Sequence, residues 1–289
     1  MYRLFTDTDC DVTPEIAKQY GYELISMPYS IDAKTVYPYE DFAEFDDHAF
    51  YDLLRGGVLP NTGALNAEKY RSYFEPVFAA GEDILYVHFS AAMTGTFDVM
   101  RQVTDGLLKK YPERKFYAVD TKGITTISLA IAQEIGALYQ AGKTAEEIVA
   151  WADTEVDRFA MYFFADDLKF FKHSGRVSGL AATMGTLLGI RPIIYMSAEG
   201  KMVSIGKEKG RINAMERLVQ YVAELGDELK AHRVLIGHTD APELAHEVAD
   251  LLYARFGSDL DIQFVPVNPT AGSHCGPNGV GICFHAVHR

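Results

Sequence analysis

Short apolar runs, each leading through a hydroxyl-rich loop into a stretch of helical pattern, constrain this chain's fold more than any other feature. The runs are Tyr2 to Thr6, Ile84 to Phe89 and Phe116 to Val119, and each has the length and character of a buried strand. Behind them come a helix opening at Thr13-Pro14-Glu15, where a hydroxyl N-cap precedes Pro at the first helical position, and helical patterns over Thr96 to Tyr111 and Ile127 to Gln140. Such alternation predicts a parallel sheet covered by helices. A strand-like stretch near Glu23 to Ile31, a helix over Asp46 to Arg55 and another from Ala67 behind an Asn66 cap fit between these units. Thr144-Ala145-Glu146-Glu147 has capping-box spacing and places a helix at about Ala145 to Asp157.

After that helix the pattern changes. An apolar segment Met161 to Ala165 precedes helices around Leu168 to Lys172 and Leu180 to Leu188, and then Pro192 to Ser197 and Lys201 to Ser204 meet as a hairpin at Ala198-Glu199-Gly200. A helix from Ile212 to Leu229, a strand Val234 to Gly237, a helix Pro242 to Phe256, a strand Ile262 to Val267 and an apolar run Val280 to Val287 follow. The expected fold class is α/β, with an N-terminal parallel-sheet domain over residues 1–158 and a mixed α+β domain over 159–289. A length of 289 residues suits two ordinary domains.

Charge and motif content exclude several function classes. With 40 acidic against 27 basic residues the formal charge is -13, which repels phosphate backbones and anionic membranes, so no nucleic-acid partner is expected. No uncharged apolar stretch approaches the roughly 20 residues that span a bilayer, so no stable membrane insertion is expected. Asp7 arrives before a signal-peptide core could form, which points to the cytoplasm. Cys10, Cys275 and Cys283 are too scattered for a disulfide framework or a zinc site and read as reduced thiols. Phosphate-loop, dinucleotide, nucleophile-elbow and His-Glu-x-x-His motifs do not occur, so neither cofactor nor metal is expected.

The chemistry therefore rests on loops. Thr6-Asp7-Thr8-Asp9, the loop Ser90 to Thr96 and the loop Asp120 to Thr126 follow the three strands. In an open parallel sheet, ligands bind beyond the carboxyl ends of the strands, where helix N-termini offer free N–H groups and favour an anionic head. A fourth loop, Gly56 to Asn66, carries Thr62 beside Gly63, and Ser273-His274-Cys275-Gly276-Pro277 sets an imidazole before a Gly-Pro turn, near the end of a strand. Taken singly, these hydroxyls are ordinary caps and this histidine an ordinary structural one.

In order along nearly the whole chain, Thr-Asp-Thr-Asp-Cys-Asp at the start, Asn61-Thr62-Gly63, Met93-Thr94-Gly95-Thr96, Asp120 with Gly123, Gly175-Arg176-Val177-Ser178 and His274-Cys275-Gly276-Pro277 resemble the motifs of the DegV family of bacterial fatty-acid-binding proteins. The resemblance implies a two-domain α/β fold with a long-chain fatty acid in a tunnel between the domains. It also implies a binding protein without catalysis of its own, which presents the acyl carboxylate to a separate kinase subunit that makes acyl phosphate for phospholipid synthesis. Carried onto this chain, the carboxylate contacts are Thr62, Thr94 and His274, with Gly95 and the loop from Ser90 supplying backbone. The kinase contact falls near Lys209 or Arg211.

Burying each methylene is worth about 0.8 kcal/mol, so an acyl tail alone can supply affinity while neutral hydroxyls and one imidazole orient the head. Ile190, Ile193, Met184 and Leu187 are candidates for the tunnel wall. A second reading makes the protein an acyl-ester hydrolase or transferase with His274 as general base, oriented by Asp7 or Asp120.

Overall fold

The computed structural model describes residues 1–179 and 189–289, so the helix expected at Leu180 to Leu188, with Met184 and Leu187, lies outside the described residues. Strands β1 (Tyr2–Asp7) and β2 (Tyr22–Ile25) are joined by α1 (Pro14–Tyr20), which Thr13 caps through Ile16 N and Gly21 ends in the left-handed region. The single strand expected near Glu23 to Ile31 is two. Pro28 separates β2 from β3 (Tyr29–Ile31), which joins a small antiparallel sheet with β4 (Lys34–Val36) and β5 (Asn61–Thr62). Asp32 and Ala33, both at positive φ, make the tight turn between β3 and β4. Helices α2 (Asp47–Arg55) and α3 (Ala67–Ala79) start on the side chains of Asp46 and Asn66.

Next come β6 (Asp83–His88), α4 (Thr96–Lys110), β7 (Phe116–Asp120), α5 (Thr126–Gln140) and α6 (Ala145–Glu155), the last opened by a complete Thr144/Glu147 capping box. The first sheet has the order β2-β1-β6-β7 and is parallel throughout. Its chain order reverses between β1 and β6, the crevice where open parallel sheets take ligands.

Beyond residue 158 lie β8 (Phe159–Phe164), α7 (Lys169–Ser174), β9 (Val177–Ser178), the hairpin β10 (Ile190–Met196) and β11 (Met202–Lys209), and α8 (Arg211–Leu225). They are followed by β12 (Val234–His238), α9 (Pro242–Phe256), β13 (Ile262–Pro266), α10 (Pro269–Cys275) and β14 (Val280–His285). These strands form a mixed sheet of order β13-β12-β14-β8-β10-β11-β9. The architecture is thus the expected α/β class.

Helix α5 binds the two large sheets together. Thr126 to Ala132 are all buried, because α5 packs on β8, β12 and β14 as well as on α1. A helix buried all round has no solvent face to make polar, and this one carries no charge until Glu134. One core runs through it from Leu4 and Phe97 to Met161, Phe163 and Cys283. A second core lies on the other side of the mixed sheet, under α8 and α9, and includes Ile193, Leu218 and Val248.

Candidate functional site

The ends of β1 and β6, strand β5 and helix α10 meet around a cavity of about 150 Å³. Thr62 reaches it because β5 pairs with β3 at Tyr29↔Thr62. Its Oγ1 lies 2.9 Å from His274 Nε2, the contact that joins the small sheet to α10. Thr94 and Gly95 stand at the N-terminus of α4, with Gly95 as N-cap and Thr94 Oγ1 accepting from Thr96 N at 3.1 Å. Side chains added at Gly63 or Gly95 would meet open space. The N-terminus of a 15-residue helix therefore opens on the same cavity as a hydroxyl and an imidazole.

His274 sits in the last turn of α10 rather than at a strand end: Asn268 caps that helix and Pro269 begins it. Burial, with Arg176 and His173 nearby, lowers the imidazole to about 4, so the ring is neutral at physiological pH. Its Nδ1 is buried and has no hydrogen-bond partner among the described residues. Neither expected orienting acid reaches it. Asp7 accepts from Tyr86 Oη at 2.9 Å and from Asp9 N at 3.1 Å, and Asp120 accepts from Lys122 N at 2.7 Å and Ala91 N at 3.2 Å. An imidazole lowered that far, with neither acid behind it, is a weak general base.

The structure brings Thr62, Thr94, Gly95 and His274 together. Ser90 stands apart: its hydroxyl donates to Gly200 O at 2.7 Å and accepts from Ala92 N, tying the β6 loop to the β10–β11 turn, and it is not on the cavity wall. Ile193 belongs to the core under α8, since successive side chains of β10 alternate between the two faces of the sheet and Ile194 takes the other one, and Ile190 is not on the wall either. Arg211 is on the far side of the mixed sheet, paired with Asp166 together with Arg191, while Lys209 is exposed at the end of β11, in register with Ile190 at the start of β10. Both charged residues of the wall escaped the sequence reading as site residues. Arg176 stood inside a quoted motif, and Asp9 inside the first hydroxyl-rich loop.

Behind this polar vestibule lies a second, almost wholly apolar cavity, narrower at about 40 Å³. Ile124, Met202 and His274 line both, so the two cavities adjoin at these side chains. Met161, Phe163 and Val267 form its deeper wall, between α5 and the mixed sheet. Among the described residues no helix is long and apolar enough to cross a membrane.

The chain thus combines a helix-covered parallel sheet, whose switch point opens on hydroxyls and an imidazole, with an apolar cavity beside it. Residues 1–287 match the family described as "Uncharacterised protein, DegV family", and the chain belongs to that family. A DegV domain-containing protein of Clostridium perfringens is 28% identical over 282 residues, covering 97% of this chain and 96% of the relative. Among solved structures, a stearic-acid-binding protein from Eubacterium ventriosum superposes with a TM-score of 0.86 at 18% identity, covering 98% of this chain and 97% of that one. A fatty-acid-binding DegV family protein from Thermus thermophilus does so with a TM-score of 0.84 at 17% identity over 99% of both chains.

Proposed function

We propose that this protein binds a long-chain fatty acid, with the carboxylate in the vestibule and the tail in the apolar channel, between a domain of residues 1–158 and one of residues 159–289. The carrying observation is that the polar vestibule and the apolar cavity adjoin at Ile124, Met202 and His274. Thr62, His274 and the N-terminus of α4 supply neutral donors to the head. The neighbours from Eubacterium, a stearic-acid-binding protein, and Thermus, a fatty-acid-binding one, support the ligand class. An 18-carbon chain exceeds the deeper space, so entry requires the thioether side chains of Met161 and Met202 to swing aside, which unbranched methionines do at small cost.

Oriented by Thr62 and His274 and not locked by the exposed Arg176 of the same wall, the carboxylate is available to an incoming phosphoryl group, and the protein acts as the presenting subunit for a separate cytoplasmic kinase. Exposed Lys209, with Arg211 and exposed Ile212, forms the docking face, and phospholipid synthesis is the destination of the acyl phosphate. The test is mass spectrometry of lipid extracted from natively purified protein. About one fatty acid per chain is expected; a consistently lipid-free protein that also fails to take up stearate sinks the reading.

A further inference from the structure

The proposed head-group site contains one residue of the wrong charge. Asp9, in the turn after β1, lies on the vestibule wall with Thr62, Thr94 and His274. It is 3% exposed, and its Oδ1 is buried with no hydrogen-bond partner among the described residues. An ionised carboxylate there would face the carboxylate of a bound acid across a cavity of about 150 Å³. Two such charges in one small site do not both persist.

We propose that Asp9 enters the site as a neutral carboxyl and donates its O–H to an oxygen of the bound carboxylate, so that each ligand is held together with one proton. This deepens the fatty-acid reading and rests on it. The surroundings favour the neutral form. Beside Asp9 on the same turn are Asp7, Cys10 and Asp11, all buried and none cationic. The buried face of α5 that packs on the turn, Thr126 to Ala132, is uncharged, and α10 presents Thr270 and the neutral His274. From α3 and β6 come the phenols of Tyr70 and Tyr86, and Tyr86 donates to Asp7. The cation on the vestibule wall is Arg176, an exposed side chain whose Nη1 donates to Ser174 O at 2.9 Å; it forms no ion pair with Asp9. Burial first, then the charges of Asp7 and Asp11, raise Asp9 well above the usual carboxylate range, against a hydrogen bond from Thr270 that acts the other way.

The sign follows from that raised value. Binding is strongest where Asp9 keeps its proton, and above its pKa affinity falls about tenfold for each pH unit, because a proton must then be taken up with the ligand. The experiment is a stearate titration of delipidated protein from mildly acidic to alkaline pH, in the wild type and in Asp9→Asn, whose amide donates but does not titrate. In the same buffers the ligand's own ionisation is common to both. Wild type should show the steep alkaline limb; Asp9→Asn should bind a few-fold more weakly at the acidic end and lose that limb. Parallel profiles overturn the proposal while leaving fatty-acid binding intact, whereas stearate binding by neither protein at any pH removes the fatty-acid reading itself. Should Asp9→Asn fail to fold, calorimetry of the wild type and of His274→Gln at alkaline pH in buffers of different ionisation enthalpy decides. Uptake approaching one proton per stearate in both is expected. No uptake, or uptake that disappears with His274, rejects the proposal.

Discussion

Thr62 and His274 are 212 residues apart in the chain and share one hydrogen bond, so their pair is the smallest unit of this site that can be tested alone. Thr62→Val keeps the side-chain shape and leaves a part-buried imidazole nitrogen without its partner. That omission costs about 1–3 kcal/mol. Urea denaturation of the delipidated variant should show a loss in this range, and stearate affinity should fall about tenfold, with Thr62→Ser restoring much of both. Unchanged affinity in Thr62→Val would remove Thr62 from the head-group site. At this scale the sequence was legible where a residue had a reason to be noticed. His274 stood before a Gly-Pro turn, and the hydroxyls lay in loops beyond strands. Asp9 passed as one more acid in an acidic chain, because its distinguishing property is burial without an ion pair among the described residues, and that belongs to the folded surroundings. Ser90 shows the converse: a hydroxyl in the right loop, already committed to Gly200 O.

Elements with strong local signals were readable, and those defined by distant partners were not. The Thr13-Pro14 start of α1, the Asn66 cap and the Thr144 capping box are where the sequence places them. The strands β5 and β9 are two residues each and exist only through pairing with β3 and β11, so no run of apolar residues announces them. Helix α10 did have a signal, Asn268 as cap and Pro269 at the first helical position, hidden by the small residues that follow. That cap also does tertiary work. Asn268 Oδ1 accepts from Ala271 N at 2.9 Å, and its Nδ2 donates to Asp11 Oδ1 at 2.8 Å, which fixes α10 and its His274 against the β1 turn. Asn268→Ala removes both bonds in a buried setting and should destabilise by about 2 kcal/mol. It should also weaken stearate binding, because the helix carrying His274 loses its anchor. A variant that unfolds at lower urea yet binds stearate like the wild type would show that α10 is positioned by other contacts.

The acid turn after β1 sets how the whole molecule responds to pH. Burial raises Asp11 to about 8 despite hydrogen bonds from Asn268, and it raises Asp7 and Asp9 as well. In the unfolded chain these groups ionise near 3.8, so over mildly acidic to neutral pH the native state holds protons that the unfolded state has lost. Stability from this source is complete below the unfolded value and is lost as pH rises through the folded one. His274 acts in the opposite direction. Its folded value of about 4 against an unfolded 6.5 gives stability that is present above 6.5 and lost as pH falls toward 4. His88 and His238, lowered by burial in the same way, add to His274 below 6.5; above it these imidazoles are neutral in both states while Asp7, Asp9 and Asp11 still hold protons, so the delipidated protein should become less stable from about pH 6.5 to about pH 8. Exposed acids such as Glu146, lowered to about 2 first by its bond from Tyr117, titrate below that window and do not mask it. Asp11→Asn takes one proton out of the balance and should make the slope shallower by about 1.4 kcal/mol per pH unit. Urea midpoints across that range measure it directly, and a wild-type midpoint that is flat or rises with pH would mean that the β1 turn is ionised in the folded protein. The same turn that lowers stability toward alkaline pH is the one that carries Asp9 to the vestibule wall, which links fold stability and ligand retention to protons held within five residues of each other in the chain.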